Sequence, residues 1–360
     1  MSHLSCMLSY IATPLSNQRK VNLMAHELEM HDGQVSFASL REPAWHGLGT
    51  VFEQEVSTQE MLSLAHLDNW NVRLEEIDIP ETFRSDKSHY FVTRTNPFER
   101  SENDILGVVG ERYNVVQNEE LFSFGDTILD GGGRWETAGS IKGGRQVFGS
   151  IALERESVID PFGVSDVVKT YLLVNTSHDG SVAIQASVTP VRVVCANTLN
   201  VALGGRGRNA AKQSFKIRHT QTANGKVQAA REALGITNAY MDKFDVMAKE
   251  LFAQEVGPDL YARIIQAAYP MPETDSKGSL KKWETKVDLI DSIYAGPTNN
   301  MISGTGWGVL NAMTERLDWY RTARGGNQDN LLISASGFDA AINAEKNRLL
   351  TVTQGVLGLV

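Results

Sequence analysis

The sequence has few cysteines and no long apolar run. Its two cysteines, Cys6 and Cys195, are far apart in a chain of 360 residues and form no C-x-x-C pair. This argues against a disulfide framework and favours a reducing compartment, so we expect a cytoplasmic protein. No stretch approaches the ~18–20 consecutive apolar residues of a membrane span, and we therefore expect no membrane partner.

Acidic residues are missing from one long segment. Residues 180–231 contain no aspartate or glutamate, although the whole chain has 43 acidic residues and a formal charge of −9. The segment carries eight basic residues, which are Arg192, Arg206, Arg208, Lys212, Lys216, Arg218, Lys226 and Arg231. The rest of the chain therefore has a formal charge of −17. We name residues 180–231 the acid-free segment, because this polarity indicates a polyanionic partner.

Motifs that hold metals or nucleotides are also missing. The eight histidines are scattered without metal-motif spacing. Gly131-Gly132-Gly133 follows an expected helix and precedes an expected strand, which reverses the order of dinucleotide and P-loop sites. Glu76 and Asp78 share one strand face and are conceivable ligands of a nuclease-like metal site, but a solvated face gives the same pattern. We predict no metal, no cofactor and no catalytic residue.

The residue patterns predict an α+β fold. Short β-branched segments separated by turn residues indicate a central antiparallel β-meander with flanking helices. These segments are 135–141, 146–153, 167–175, 181–188 and 191–195. From about residue 226 the hydrophobic period changes from two to 3.6, which predicts a helical C-terminal region. The helices expected there are 226–252, 258–268, 279–294, 305–323 and 330–357.

Local signals predict further elements. Ser57 and Glu60 have the spacing of a capping box, so we expect a short helix that ends near Asn69. Asn118 is the expected N-cap of a second helix. One or two helical turns are expected at 197–203, and Asp179-Gly180 is a typical hairpin dipeptide.

The texture of the chain predicts three parts. Residues 1–23 lack helical periodicity and make a poor signal peptide, so we interpret them as a disordered leader or a mis-called start before Met24. Residues 24–225 are expected to form an α+β core domain with the antiparallel sheet. Residues 226–360 are expected to form the mainly helical C-terminal region.

Basic residues of the acid-free segment are the candidates for nucleic-acid contact. Their guanidinium and ammonium groups would neutralise backbone phosphates, and Phe215 could offer a stacking face. The alternative is that Arg192 and Arg218 bind carboxylates elsewhere in this acidic chain. The nucleic-acid-binding candidates are Arg192, Arg206, Arg208, Lys212, Lys216 and Arg218.

Two further places invite a functional interpretation. Trp45 and His46 lie in a loop punctuated by proline and glycine, where the histidine could act as a general base, although a structural anchor is the more common role. Cys195 lies among basic residues, but a nucleophilic cysteine needs a histidine partner. A cysteine at the end of an apolar strand is usually a core residue.

Six blocks of the sequence, taken in their order, resemble a known family. They are Trp45-His46-Gly47-Leu48-Gly49, Tyr113-Asn114-Val115-Val116-Gln117-Asn118, Gly143-Gly144-Arg145, Asn175-Thr176-Ser177-His178-Asp179-Gly180-Ser181, Pro190-Val191-Arg192-Val193-Val194-Cys195-Ala196-Asn197-Thr198-Leu199 and Ile217-Arg218-His219-Thr220. Together they resemble the phage/plasmid-like protein family, a domain-of-unknown-function group of bacteriophages, prophages and plasmids. The resemblance covers residues 24–340, roughly. It implies a mobile-element protein in a bacterial cytoplasm, with no established activity.

From these patterns we expect a non-enzymatic accessory protein that binds nucleic acid, with single-stranded DNA binding or annealing as one form. A meander backed by helices with a basic hairpin is similar to phage single-strand annealing proteins, but only at the level of fold. Two alternatives stay open. One is an enzyme of unrecognised type that uses His46, Cys195 and a carboxylate. The other is a protein-interaction module whose helical half assembles a homo-oligomer.

Overall fold

A large sheet organises the part of the chain that the structure describes. The computed structural model describes residues 28–41, 48–78, 88–159, 163–192, 194, 197–198, 214–216, 223–274, 276–320 and 340–359. The strands are β1 Met30–His31, β2 Gln34–Val35, β3 Phe37–Leu40, β4 Thr50–Phe52, β5 Arg73–Glu76, β6 His89–Thr95, β7 Asn103–Gly110, β8 Arg134–Ile141, β9 Gln146–Ile159, β10 Asp166–Ser177, β11 Gln185–Arg192, β12 Asn197–Thr198 and β13 Ser214–Lys216. The helices are α1 Thr58–Leu64, α2 Asn118–Leu129, α3 Ala223–Ala253, α4 Pro258–Ala268, α5 Lys277–Tyr294, α6 Gly306–Trp319 and α7 Ala340–Leu357.

The large sheet has eight strands in the order β12-β11-β10-β9-β8-β3-β4, and β13 also pairs with β11. Its long central pairs are antiparallel, whereas β3 and β4 are parallel. A second sheet has the order β5-β6-β7, and β1 and β2 form a small hairpin. These sheets and helices confirm the predicted α+β class with an antiparallel meander and a helical C-terminal region.

Strand β11 merges two segments that the sequence pattern separates. Residues 185–188 of the first expected strand and residues 191–192 of the second belong to one continuous strand through Pro190. Residues 181–184, expected as strand, belong to the preceding loop. Proline has no N–H for a ladder. Thr170 of β10 lies opposite Pro190 on the inner side. On the outer side β13 pairs with residues 185–187 and β12 pairs with residues 191–192, so neither short strand needs a hydrogen bond from residue 190. The expected helical turn at 197–203 is wrong for Asn197 and Thr198, which form β12.

The connection from β10 to β11 is the predicted hairpin, with a loop longer than a two-residue turn. Asn175 pairs with Gln185 at the end of the ladder. Within the loop the Asp179 carboxylate accepts a hydrogen bond from the Ser181 N–H at 2.9 Å. Gly180 has a φ of +77°, in the left-handed region that favours glycine.

The two faces of the sheet support different cores. Successive residues of a strand point to opposite faces. On one face Val168 and Leu172 of β10 join two large cores that contain the helices, and α3 contributes to both cores. On the other face Leu173 joins a small core with Phe37 and Phe148. The division of the chain near residue 225 into two domains stays a prediction.

Helix α1 begins at the predicted capping box. The Ser57 hydroxyl accepts a hydrogen bond from the Glu60 N–H at 3.3 Å, and the Ser57 N–H donates to the Glu60 carboxylate at 2.8 Å. The helix ends at Leu64, earlier than expected, and His66 then has a φ of +54°. The N-cap of α2 is Gln117 and not the predicted Asn118. The Asn118 side chain is buried and donates instead to the Leu67 carbonyl at 2.8 Å.

Replacing Ser57 with alanine is expected to lower the free energy of unfolding by about 1 kcal/mol. The hydroxyl that accepts from the Glu60 N–H and donates to the Glu60 carboxylate is lost, whereas the backbone N–H of residue 57 can still donate to Glu60. Urea unfolding of the two proteins measures this difference. Ser63→Ala, in the same helix and outside the capping box, is the control and should change stability by less. Equal effects of the two substitutions would contradict a role for the capping box.

Candidate functional site

Strands β12 and β13 of the acid-free segment lie at the outer edge of the large sheet. Strands β12 and β13 pair antiparallel with β11 on the side away from β10, so they run in the same direction. Thr198 lies opposite Val191, and Ser214 lies opposite Ser187. At ~3.3 Å per strand residue, these positions are only ~13 Å apart along β11. Fifteen residues connect them in the sequence, many more than that gap requires.

Two of the predicted site residues, Arg192 and Lys216, lie within the described part of the chain. Lys216 lies on β13, at the edge of the sheet. The other nucleic-acid-binding candidates lie outside the described residues, and they are Arg206, Arg208, Lys212 and Arg218. The same holds for the candidate loop and the enzyme hypothesis, whose residues are Trp45, His46 and Cys195.

Arg192 has a structural role, as the alternative interpretation expected. Its side chain is 1% exposed, and its Nε donates to both carboxylate oxygens of Asp166 at 2.8 Å. Its Nη1 donates to the Thr298 carbonyl at 2.7 Å. Trp307 in α6 donates from Nε1 to the same Asp166 at 2.8 Å. Arg192 therefore joins the end of β11 to the C-terminal helices, and a phosphate cannot reach it without unpacking this contact.

Arg94 lies at a second buried charge cluster, where the two sheets meet. Its guanidinium is 1% exposed and forms ion pairs with Glu29 and Asp104. It also stacks on Trp70, with 3.9 Å between its Cζ and the ring centre. Gly144 has a φ of +80°, and a Cβ at this position would collide with the guanidinium. A glycine is therefore required here by both the backbone and the arginine. We name Arg94, Glu29, Asp104 and Trp70 the Arg94 cluster.

His178 packs against the same tryptophan. Its ring lies 5.5 Å from the Trp70 ring, and its Nε2 is 2.9 Å from the Asn118 Oδ1. Its Nδ1 is buried and has no hydrogen-bond partner. Burial, and then the positive charge of Arg94, lower the pKa of His178 to about 4. The imidazole is therefore neutral at pH 7.

Three of the six motif blocks meet at this place. The His178 N–H donates to the Arg145 carbonyl at 2.8 Å, and the Tyr113 hydroxyl donates to the Ser177 carbonyl at 3.3 Å. With the contact of Asn118 and His178, these bonds connect blocks 113–118, 143–145 and 175–181. The blocks hold α2, the second sheet and the β10–β11 loop together. Their geometry is that of a structural junction.

A cleft of about 660 Å³ opens beside the Arg94 cluster. Its lining includes Glu29, Arg94 and Asp104, together with His31 and Phe98, whose rings stack at 6.1 Å. The lining contains no serine, threonine or cysteine. Both carboxylates are occupied by Arg94, so neither is available as a general base. The described lining of the cleft therefore offers no hydroxyl or thiol nucleophile.

The described residues contain no group of three or more His, Cys, Asp or Glu residues that could hold a metal ion. Glu76 is exposed at the end of β5, and Asp78 lies just beyond the strand. The Glu76 and Asp78 hypothesis thus has no third ligand in this part of the structure. No helix of the described residues is long and apolar enough to cross a membrane.

The Arg94 cluster was not predicted from the sequence, although the position of Arg94 in its strand gave a signal for it. In β6 the residues Tyr90, Val92 and Arg94 share one face, so Arg94 continues the face on which Tyr90 and Val92 pack into the core. An arginine in phase with buried residues needs a carboxylate partner. The partner Glu29 is 65 residues earlier in the chain, which no local pattern indicates.

Comparison with known proteins gives one match. Residues 105–336 match the model of a family described as a domain of unknown function (DUF932). This range includes all of the acid-free segment and most of the helical region. Among the curated proteins and the solved structures, none is significantly similar to this chain.

Proposed function

The chain belongs to the DUF932 family, and we propose that it is a non-enzymatic accessory protein that binds nucleic acid through its acid-free segment. One observation carries this proposal, namely that a segment with eight basic and no acidic residues lies in a chain whose remainder has a formal charge of −17. Nucleic-acid backbones are the polyanions that such segments commonly neutralise. Single-stranded DNA is the first ligand to test.

The distribution of the basic residues supports a contact at the sheet edge. Arg192 is excluded from the interface, because its charge is already neutralised by Asp166. Arg231 is exposed on α3 and remains available. We assign the phosphate contacts to Arg206, Arg208, Lys212, Lys216 and Arg218. In the sequence, Lys216 belongs to β13, Arg218 comes two residues after it, and the other three come between β12 and β13.

The geometry of this edge is compatible with such a contact. Among the described residues, only the two short strands β12 and β13 cover the outer side of β11.

The wider biological setting is also part of the proposal. The resemblance of the six blocks to the phage/plasmid-like protein family suggests a mobile-element protein that acts in the cytoplasm of a bacterial host. A homo-oligomer remains a prediction of the same proposal. The enzyme alternative depends on His46 and Cys195, which lie outside the described residues.

Neutralising four basic residues should weaken the salt dependence of binding. In the variant with Arg206, Arg208, Lys212 and Lys216 changed to glutamine, we expect the slope of log K against log salt to fall by about 0.7 for each lost single-strand phosphate contact. Fluorescence polarisation with single-stranded, double-stranded and RNA probes, from ~50 mM salt upward, measures this slope.

A charge-matched control separates local contact from net charge. Changing the exposed residues Arg112, Lys142, Lys249 and Arg263 to glutamine removes the same charge elsewhere on the surface. This control should keep the slope of the parent protein. If the parent protein binds none of the probes at ~50 mM salt, or if both variants lose slope equally, the proposal is wrong.

A further inference from the structure

Three cations surround one tyrosine in the C-terminal helices. The Nζ of Lys286 lies 5.2 Å from the centre of the Tyr269 ring. The Cζ atoms of Arg316 and Arg348 lie 5.6 Å and 5.7 Å from the same centre. The three residues come from α5, α6 and α7, and Tyr269 directly follows α4. We name these four residues the Tyr269 cluster.

The Tyr269 cluster has more positive charge than its surroundings neutralise. Glu345 is the carboxylate beside it, and its oxygens accept hydrogen bonds from Arg348 at 2.7 Å and 2.8 Å. Lys286 and Arg316 form no ion pair with any described residue. Both cations nevertheless lower the pKa of Glu345, together with Arg348, so all three lie within electrostatic range of one carboxylate. The net charge there is +2.

Burial makes this arrangement costly without a ligand. Desolvation, and then the charges of Arg316 and Arg348, lower the pKa of Lys286. The Tyr269 hydroxyl is buried, Arg316 is the donor beside its oxygen, and no acceptor for its proton lies within hydrogen-bond distance. Burial also raises its pKa to about 12, so the hydroxyl keeps its proton and can donate it. Like charges and an unpaired donor held together are the features of a site prepared for an anion.

The surrounding contacts hold the Tyr269 cluster in place. The indole Nε1 of Trp283 in α5 donates to the Tyr269 carbonyl at 2.8 Å. Arg316 lies in the last turn of α6, where the negative end of the helix favours a cation. Glu345 orients Arg348 through its two hydrogen bonds. Tyr269 and Arg348 are therefore held in place by contacts within the helices before any ligand arrives.

We infer that the Tyr269 cluster is a binding site for a phosphate group. The charge of +2 matches a phosphate monoester, which carries about −1.5 to −2 at pH 7. Guanidinium groups bind phosphate oxygens in pairs, and an ammonium group adds a point charge. The site uses no residue of the acid-free segment, so it stands or falls separately from the proposed function.

Titration with inorganic phosphate tests this site. We expect sodium phosphate to raise the melting temperature of the protein above that in sodium chloride of equal ionic strength. Lys286→Met should raise the Kd for phosphate about tenfold or more, since a charged donor is lost. Without phosphate the same variant should melt no lower than the parent protein, because repulsion from Arg316 and Arg348 is relieved. If Lys286 had only a structural role, its replacement would lower the melting temperature without phosphate as well as the affinity for phosphate.

Matched controls complete the experiment. Lys281→Met removes an exposed lysine from the same helix and should leave the Kd unchanged. The four-residue variant of the acid-free segment should also bind phosphate normally. Displacement of phosphate by an oligonucleotide would identify a nucleic-acid backbone as the source of the group, and displacement by mononucleotides alone would identify a free nucleotide. No stabilisation of the parent protein by phosphate, or an unchanged Kd in Lys286→Met, overturns the inference.

Discussion

Replacing Asp166 with alanine is expected to lower the free energy of unfolding by about 3–5 kcal/mol. The reason is that the substitution leaves the Arg192 guanidinium buried without its carboxylate, since both side chains are at most 2% exposed. The Trp307 Nε1 also loses its acceptor. Urea unfolding monitored by circular dichroism measures the change, with the slope m as a check that the unfolded state is unaltered.

A solvent-exposed ion pair provides the control. Asp242 on α3 pairs with Arg155 at 2.8 Å, but its side chain is 72% exposed. Asp242→Ala should therefore cost less than about 1 kcal/mol. The double variant Asp166→Leu with Arg192→Met removes both buried charges and should recover much of the loss. Equal costs for the two single alanine substitutions would show that the Asp166 pair is not buried as described.

The Asp166 pair also explains how the edge strand is oriented. Arg192 is the last residue of β11, and its guanidinium donates to Thr298 and Asn299 between α5 and α6. The remaining basic residues of the acid-free segment therefore follow, in the sequence, a residue that is fixed to the helical region. Loss of this anchor should disturb the edge of the sheet more than its centre, where β9, β10 and β11 form long ladders.

The fold was predictable where its causes are local. The capping box at Ser57 and the apolar period of α4 and α5 identify helices from a few neighbouring residues. The meander from β8 to β11 has short connections, so its order follows the sequence. The extension of the sheet by β3 and β4 was not predicted, because it joins residues about 100 positions apart and leaves no periodic pattern across that distance.

The candidate sites were less predictable than the fold. The acid-free segment is visible in composition alone, but composition cannot separate Arg192, which is buried, from the residues that remain candidates. The Tyr269 cluster draws its cations from three helices, each with its own period, so only their packing brings the charges together. Long-range convergence of single residues is what a sequence pattern does not encode.

Acidification is expected to destabilise the protein through His178. Its pKa is about 4 in the folded state, below the ordinary value of 6.5, because of burial and the charge of Arg94. Between these two values the unfolded chain binds more protons than the folded chain, so stability falls as pH falls from 6.5 toward 4. A shift of this size corresponds to a loss of about 3 kcal/mol across that window, and to none above it.

The variant His178→Gln isolates this contribution. Glutamine can still donate to Asn118 but does not titrate, so the variant should lose less stability than the parent protein between pH 7 and 4. Carboxylates titrate equally in both proteins, and the difference between the two pH profiles therefore reports on His178. His31→Gln, whose side chain is 45% exposed in the parent protein, should keep the parent profile. Parallel profiles for the parent and His178→Gln would mean that the imidazole gains its proton as easily in the folded chain as in the unfolded one. The packing of His178 against Trp70 would then have to be open to water.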